Sequence, residues 1–193
     1  MFEQLLEAIA RGLERLGIPY MLIGGQAVLL YGEPRLTRDI DVTLGAGLER
    51  LSEVLEWVRG SGWQVLVEAP AEFVGKTMVL PCLERGSGIR IDLIFSFSPY
   101  EQQALKRARH VPVGGVRVSF ASLEDLIIHK VLAGRPRDLE DLRGVLLKNQ
   151  AIDLEYVHHW LSEFDRDLGE KSLERFEQVR QALASPSDGP SPS

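Results

Sequence analysis

The sequence predicts a mixed α/β fold of the α+β type, in which a β-sheet is flanked by helices and followed by a C-terminal helical part. Between residues 20 and 120, short apolar strand-like segments alternate with amphipathic helical ones. After Ser122 the pattern is helical up to about residue 184. The chain has 193 residues, of which 45% are hydrophobic and 26% charged, as expected for a globular protein with its own core.

The elements are predicted in order from hydrophobic periodicity and from Gly and Pro breakers. An amphipathic helix over residues 2–16 comes first and ends before Gly17 and Pro19. Strands are predicted at residues 20–23, 40–44, 63–68, 77–83 and 89–95. Helices are predicted at residues 26–31, 48–59 and 100–107. A hairpin over residues 110–120 is expected to turn at Gly114-Gly115.

The C-terminal part is predicted to contain only helices. Ser122 is a typical N-cap followed by acidic residues, so a helix is expected from there to Ala133. Another should end near Leu147, and two more should cover residues 154–164 and 172–184. We therefore predict a sheet-containing domain at residues 1–120, a helical region at 121–184 and a disordered, Ser- and Pro-rich tail at 185–193.

Composition argues against several classes of protein. No stretch approaches the ~18 apolar residues of a membrane span, and the N-terminus lacks the features of a signal peptide, so we expect a cytoplasmic protein. Cys82 is the only cysteine, which excludes an internal disulfide and a cysteine-based zinc site, and we expect it to be a small buried hydrophobe. A net charge of −6 argues against a wide nucleic-acid-binding surface, although a local RNA contact stays open.

A glycine pair marks the first candidate site. Gly24 and Gly25 follow the first predicted strand and open a short helix. Backbone N–H groups at a helix N-terminus, with no side chains in the way, suit an anionic phosphate. The alternative is a plain turn, which is what a Gly-Gly pair between apolar segments often forms.

An acidic pair marks the second candidate site. Asp39 and Asp41 are two residues apart in a predicted strand, so both side chains project from one face, while Ile40 and Val42 project from the other. Carboxylate oxygens are preferred ligands of hard cations such as Mg²⁺ or Mn²⁺. The alternative is a solvated strand end, since acidic residues are mostly exposed.

Together these motifs resemble the nucleotidyltransferase superfamily of the DNA polymerase beta type, and within it the minimal members related to the AbiEii toxins. The pattern of that group is a glycine pair followed by Arg-x-Thr-x-Asp-hydrophobic-Asp. The matching residues here are Gly24, Gly25, Arg35, Thr37, Asp39 and Asp41. The resemblance covers about residues 1–148. It implies metal-dependent transfer of a nucleoside monophosphate from a nucleoside triphosphate, such as ATP, to an acceptor hydroxyl, with pyrophosphate leaving.

Two-metal phosphoryl transfer usually needs a third carboxylate. Asp92 is the candidate, because it interrupts the apolar strand at residues 89–95, where a buried unpaired charge would be costly. It could bind metal and take the proton of the acceptor hydroxyl, and the resembling superfamily carries its third Asp on such a strand. The alternative is a salt bridge to Arg90 or Arg38.

A cationic partner for the triphosphate and the leaving pyrophosphate is also expected. Lys130 is the candidate, because AbiEii-like proteins carry a lysine on a helix followed by a further Asp, and here Asp138 follows. The resemblance implies that Lys130 and Asp138 bind the nucleotide. It also implies that the helical region at 121–184 completes the site of the catalytic domain at 1–120. The alternatives are a solvated Lys130 and an Asp138 that merely favours its helix start. Arg135 and Arg137 could bind phosphate or pair with local acids.

Several further roles stay open. Thr37 could donate its hydroxyl to phosphate or hold the turn before its strand, and Arg38 either assists the acids or is exposed. The basic cluster Lys106, Arg107, Arg109 and His110 could contact RNA, although the end of a helix accounts for it better.

The resemblance implies an acceptor that is RNA, tRNA included, or protein, and it raises a toxin role with a cognate antitoxin. The rival hypothesis is a non-catalytic nucleotide-binding or protein-interaction module of the same fold. In that case Trp160, Leu161 and Phe164 could form an exposed apolar patch, although a position in the core is the favoured interpretation of these residues.

Overall fold

The computed structural model describes residues 2–34, 37, 39–96 and 98–184, so the predicted tail lies outside the described residues. The chain forms two compact units. The first contains Met1–Leu30 and Pro34–Ser122, and the second contains Tyr31–Glu33 and Leu123–Ser193. Every described strand belongs to the first unit.

The first unit is built on one mixed sheet, as predicted. Its strands are β1 (Tyr20–Ile23), β2 (Asp39–Leu44), β3 (Gln64–Val65), β4 (Val79–Glu84), β5 (Ile89–Phe95), β6 (Arg109–Val113) and β7 (Val116–Phe120). The order across the sheet is β3-β4-β5-β2-β1-β7-β6. β2 runs parallel to β5 on one side and antiparallel to β1 on the other. The central position of β2 therefore places its side chains between those of two neighbouring strands.

Helices cover this sheet. They are α1 (Phe2–Arg15), α2 (Gly24–Tyr31), α3 (Leu51–Gly60), α4 (Pro70–Thr77) and α5 (Pro99–Arg107), with a 3₁₀ turn at Leu48–Arg50 before α3. α1 buries Leu5, Ile9 and Leu13, which lie on one face because they are four residues apart. Within the sheet, Val42 and Leu93 are fully buried. The predicted amphipathic first helix is confirmed, and so is the β6–β7 hairpin, whose turn contains Gly114 at φ 54°.

Two elements differ from the prediction. The strand expected at 63–68 contains only the two residues of β3. The next residue, Leu66, donates to the carbonyl of Pro81, but Pro81 has no N–H to donate in return, so the strand pairing ends there. Residues 70–77 form α4, which the prediction missed and partly assigned to the next strand. Pro70 at the start of α4 is the available signal, since proline is favoured in the first helical turn.

The second unit is helical, as predicted. It contains α6 (Leu123–Ala133), α7 (Pro136–Lys148), α8 (Leu154–Leu168) and α9 (Ser172–Ala184). Residues 31–33 join it through hydrogen bonds: Lys148 donates to the carbonyl of Gly32 at 3.0 Å and Asn149 to that of Tyr31 at 2.7 Å. The suggested exposed patch on α8 is absent in the described unit, because Leu161 is fully buried and Trp160 and Phe164 are partly buried.

Among the described residues, no helix has both the length and the apolar character needed to cross a bilayer.

Candidate active site

The acidic residues of β2 and β5 share one face of the sheet. In the parallel pairing of these strands, Asp41 lies opposite Asp92 and Asp39 lies opposite Arg90. Directly opposed residues on paired strands project to the same side, at a strand spacing of roughly 4.8 Å. The alternating residues on the other side, Ile40, Val42, Ile91 and Leu93, are fully buried. We call Asp39, Asp41, Arg90 and Asp92 the carboxylate face.

The glycine turn lies directly beside this face. Ile23, the last residue of β1, pairs with Asp41, and Gly24 follows at φ 62°, a conformation that favours glycine. A Cβ atom on Gly24 would overlap the Oδ2 atom of Asp41, so any other residue here would displace this carboxylate. α2 begins at Gly24, and Gly25 in its first turn is buried. The turn thus opens a helix next to the carboxylates.

Two side chains from the preceding segments hydrogen-bond to the first residue of β2. The hydroxyl of Thr37 donates to the carbonyl of Asp39 at 3.1 Å, and the amide of Gln26 approaches the same oxygen at 3.5 Å. This contact agrees with the turn-holding role of Thr37, while its contact with phosphate stays a prediction. Sequence reasoning gave Gln26 no role, although a lone amide within an apolar helix is a recognisable signal; the structure shows that its side chain is 2% exposed. Arg35 and Arg38 lie outside the described residues.

Asp92 is engaged by its neighbour on the same strand. The Nε atom of Arg90 donates to both carboxylate oxygens, at 2.9 and 3.0 Å. This hydrogen bond raises the pKa of the Arg90 guanidinium above its ordinary value; partial burial opposes the increase, and attraction by Asp92, Asp39 and Asp41 adds to it. The salt bridge to Arg90, considered as the alternative for Asp92, is therefore present. Within the described part of the chain, no three His, Cys, Asp or Glu side chains are already arranged to hold a metal ion.

Cys82 lies on β4, where it pairs with Ile91 of β5. Burial, and secondly the charge of Asp92, raise the pKa of its thiol to about 12. The thiol is fully buried and stays protonated at neutral pH, which confirms that Cys82 acts as a small hydrophobe.

In the second unit, Lys130 is buried and paired. Its Nζ atom donates to Asp138 and to Asp141, each at 2.7 Å, and the three side chains are 6%, 14% and 7% exposed. The idea of a solvated Lys130 is therefore wrong. Asp138 lies in the first turn of α7, where a carboxylate also favours the helix start. A contact of Lys130 or Asp138 with nucleotide stays a prediction, and Asp141 is a partner that sequence reasoning had not assigned.

The basic cluster is divided between two elements. Lys106 and Arg107 occupy the last turn of α5, as expected for cations at a helix C-terminus. Arg109 and His110 belong to β6, and the Nδ1 atom of His110 lies 3.0 Å from the hydroxyl of Ser119 on β7.

A protein-family model described as "Nucleotidyltransferase of unknown function (DUF6036)" matches residues 1–182 of the chain. The chain belongs to this family. The prediction of a nucleotidyltransferase enzyme is thereby confirmed, whereas membership of the AbiEii-type group stays a prediction. A search among curated proteins found no match.

Solved structures show a similar fold at low sequence identity. ANT(2'')-Ia in complex with adenylyl-2''-tobramycin is 17% identical with a TM-score of 0.57, over 94% of this chain and 98% of that one. An antigenic nucleotidyltransferase-like protein from Paracoccidioides brasiliensis is 18% identical with a TM-score of 0.54, over 91% of each chain. The lincosamide antibiotic adenylyltransferase LnuA, lincomycin-bound, is 16% identical with a TM-score of 0.51, over 71% of this chain and 91% of that one. These similarities confirm the predicted nucleotidyltransferase fold.

Proposed function

We propose that this enzyme transfers a nucleoside monophosphate from a nucleoside triphosphate to a hydroxyl group of an RNA or protein acceptor, with release of pyrophosphate. The proposal is supported above all by the pairing of Asp41 with Asp92 on adjacent parallel strands, next to the turn at Gly24. A carboxylate set of this kind beside a helix N-terminus combines cation binding with phosphate binding.

The carboxylate face fits a divalent cation by its donor chemistry. Asp39, Asp41 and Asp92 supply hard oxygen ligands from one side of the sheet, as Mg²⁺ and Mn²⁺ require. When bound, such an ion would neutralise charge on the triphosphate and lower the pKa of the attacking hydroxyl. We propose these three residues as its ligands.

The protein's own groups would position the reactants. The N–H groups of Gly24 and Gly25 would donate to the triphosphate, since these glycines have no side chains of their own to block approach. The Asp92 carboxylate would accept the proton of the acceptor hydroxyl, which would then attack the α-phosphate. Arg35 and Thr37 stay in the proposal as nucleotide-binding residues through their match to the family motif.

Lys130 and Asp138 also stay in the proposal through the resemblance alone. Two of the three N–H donors of the Lys130 ammonium already bind carboxylates, so at most one is left for a phosphate unless an ion pair opens.

A small-molecule hydroxyl is the second candidate acceptor. It is favoured by the net charge of −6, which disfavours extended contact with RNA, and by a fold shared along nearly the full length of ANT(2'')-Ia, whose structure contains an adenylylated tobramycin. A toxin role with a cognate antitoxin rests on the AbiEii resemblance alone.

Label transfer tests the proposal. The protein is incubated with Mg²⁺ and each α-³²P-labelled nucleoside triphosphate, in separate arms with total RNA, lysate protein, tobramycin or lincomycin. We expect label in one acceptor with matching pyrophosphate release, and none with Asp41→Asn. Asp167→Asn, which changes an exposed carboxylate on α8, should behave as wild type. Nucleotide binding without pyrophosphate release in every arm would favour the non-catalytic module.

A further inference from the structure

We propose that Arg90 is a built-in counter-ion of the carboxylate face, which holds Asp92 while no divalent cation is bound and must release it for the cation to bind. This inference rests on the proposed function, because it assumes that Asp39, Asp41 and Asp92 are the metal ligands. Arg90 would then be a positioning residue that sets the metal affinity of the site.

The geometry of the pair is the first reason. A single nitrogen, Nε of Arg90, contacts both oxygens of Asp92, so the guanidinium engages the two atoms with which this carboxylate would bind a cation. Arg90 is also the cross-strand partner of Asp39, and its charge is attracted by Asp39 and Asp41 as well as by Asp92. Among the described residues, the positive charge of Arg90 thus lies beside three negative charges, as that of a bound cation would.

The difference in exposure is the second reason. The side chain of Arg90 is 49% exposed, whereas that of Asp92 is 19% exposed. Arg90 can therefore turn into water on its flexible stem at little desolvation cost. Asp92 is held in place, because its neighbours Ile91 and Leu93 are fully buried in the sheet. When the pair opens, the arginine is the partner that leaves.

The arrangement of the acids is the third reason. The three carboxylates share one face, but among the described residues they do not yet form a cluster that could hold a metal ion. If Arg90 releases Asp92, both carboxylate oxygens of Asp92 become available to bind a cation together with Asp39 and Asp41. Cation binding and the Arg90–Asp92 pair are then mutually exclusive, so the pair lowers the metal affinity.

Binding of Mn²⁺ to the full chain without nucleotide tests this inference, with free Mn²⁺ measured by electron paramagnetic resonance. Arg90→Gln should bind Mn²⁺ roughly three- to fivefold more tightly than wild type, as expected for loss of one partly exposed ion pair. Arg90→Lys should restore an affinity close to wild type. Arg59→Gln removes the same charge from the exposed end of α3 and should leave the affinity unchanged.

Asp41→Asn separates this inference from the proposed function. If wild type and Arg90→Gln bind Mn²⁺ in an Asp41-dependent way with equal affinity, or if Arg90→Gln binds more weakly, the role of Arg90 is wrong and the proposed function stands. If neither protein shows Asp41-dependent binding, both are wrong. Thermal unfolding verifies that each variant is folded, and Arg90→Met, which keeps the apolar stem, replaces Arg90→Gln if that variant is unstable.

Discussion

Arg90 in the first unit and Lys130 in the second each lie among carboxylates, but their surroundings differ. Arg90 is half exposed and contacts a carboxylate that is itself 19% exposed. Lys130 is only 6% exposed and donates to carboxylates that are 14% and 7% exposed. Water can therefore replace the partner of Arg90 when the pair opens, whereas an opened Lys130 pair would leave charges in a poorly solvated environment.

This difference separates an exchangeable ion pair from a structural one. Exposed pairs contribute up to about 1 kcal/mol, so a divalent cation can displace one at small cost. Removing one partner of a buried pair costs several times more, because the remaining charge has no water around it. We therefore expect substitutions on the carboxylate face to change chemistry and metal binding, and substitutions in the Lys130 cluster to change stability.

The largest effect should come from the buried cluster. Lys130→Met should lower the free energy of unfolding by about 3–5 kcal/mol, because it leaves Asp138 and Asp141 without their shared cation. Urea unfolding of the full chain measures this change, and Lys171→Met, at a lysine that is 82% exposed, is the matched control. If the variant keeps its stability but loses nucleotide transfer, the Lys130 ion pairs are not structural, and the predicted contact of Lys130 with the triphosphate is favoured.

On the carboxylate face, Asp41→Asn should lower the rate of nucleotide transfer by at least about a hundredfold, since it removes a central charge of the proposed cation site. Its stability should stay close to wild type or rise, because three carboxylates that share one face repel each other. A large loss of stability with intact transfer activity would show that Asp41 is structural. The readouts are pyrophosphate release and urea unfolding.

Gly24→Ala tests the approach of the turn to Asp41. The left-handed conformation at φ 62° and the overlap of the new Cβ with the Asp41 carboxylate should together cost about 1–3 kcal/mol of stability. Transfer activity should fall as well, because the carboxylate must shift. Gly60→Ala, at a glycine with open space around it and no positive φ, should be neutral in both assays. Equal behaviour of the two variants would contradict the close approach.

The smallest effect concerns Cys82, which reports the charge of Asp92. Its thiol should resist iodoacetamide at pH 8 in the native protein, because burial and the charge of Asp92 raise its pKa to about 12. Because the folded pKa lies above the ordinary value of 9.0, the stability from the protonated thiol is complete below pH 9 and is lost as pH rises towards 12.

The variant Asp92→Asn should let the thiolate form at a lower pH, which ultraviolet absorbance of the thiolate measures. An unchanged titration would mean that the charge of Asp92 does not reach the thiol.

Much of the fold could be predicted because the relevant signals are local. Apolar residues four apart in α1, and alternating residues in β2, identify the buried face without knowledge of the partners. α4 is absent from the prediction because the helix is short and Ala69, which precedes it, supplies no side-chain cap. The predicted strand at 63–68 is longer than β3, because the end of β3 depends on its pairing with Pro81, which lies far away in sequence.

The candidate site divides in the same way. The spacing of Asp39 and Asp41 places both on one face of any strand, and the glycine pair marks a turn next to a helix, so the sequence by itself determined these features. Only the tertiary structure decided that Asp92 lies opposite Asp41, that Arg90 engages it, and that Lys130 is buried between Asp138 and Asp141. Strand register and the exposure of an ion pair depend on residues distant in sequence, because hydrogen-bond pairing and desolvation are properties of the packed chain.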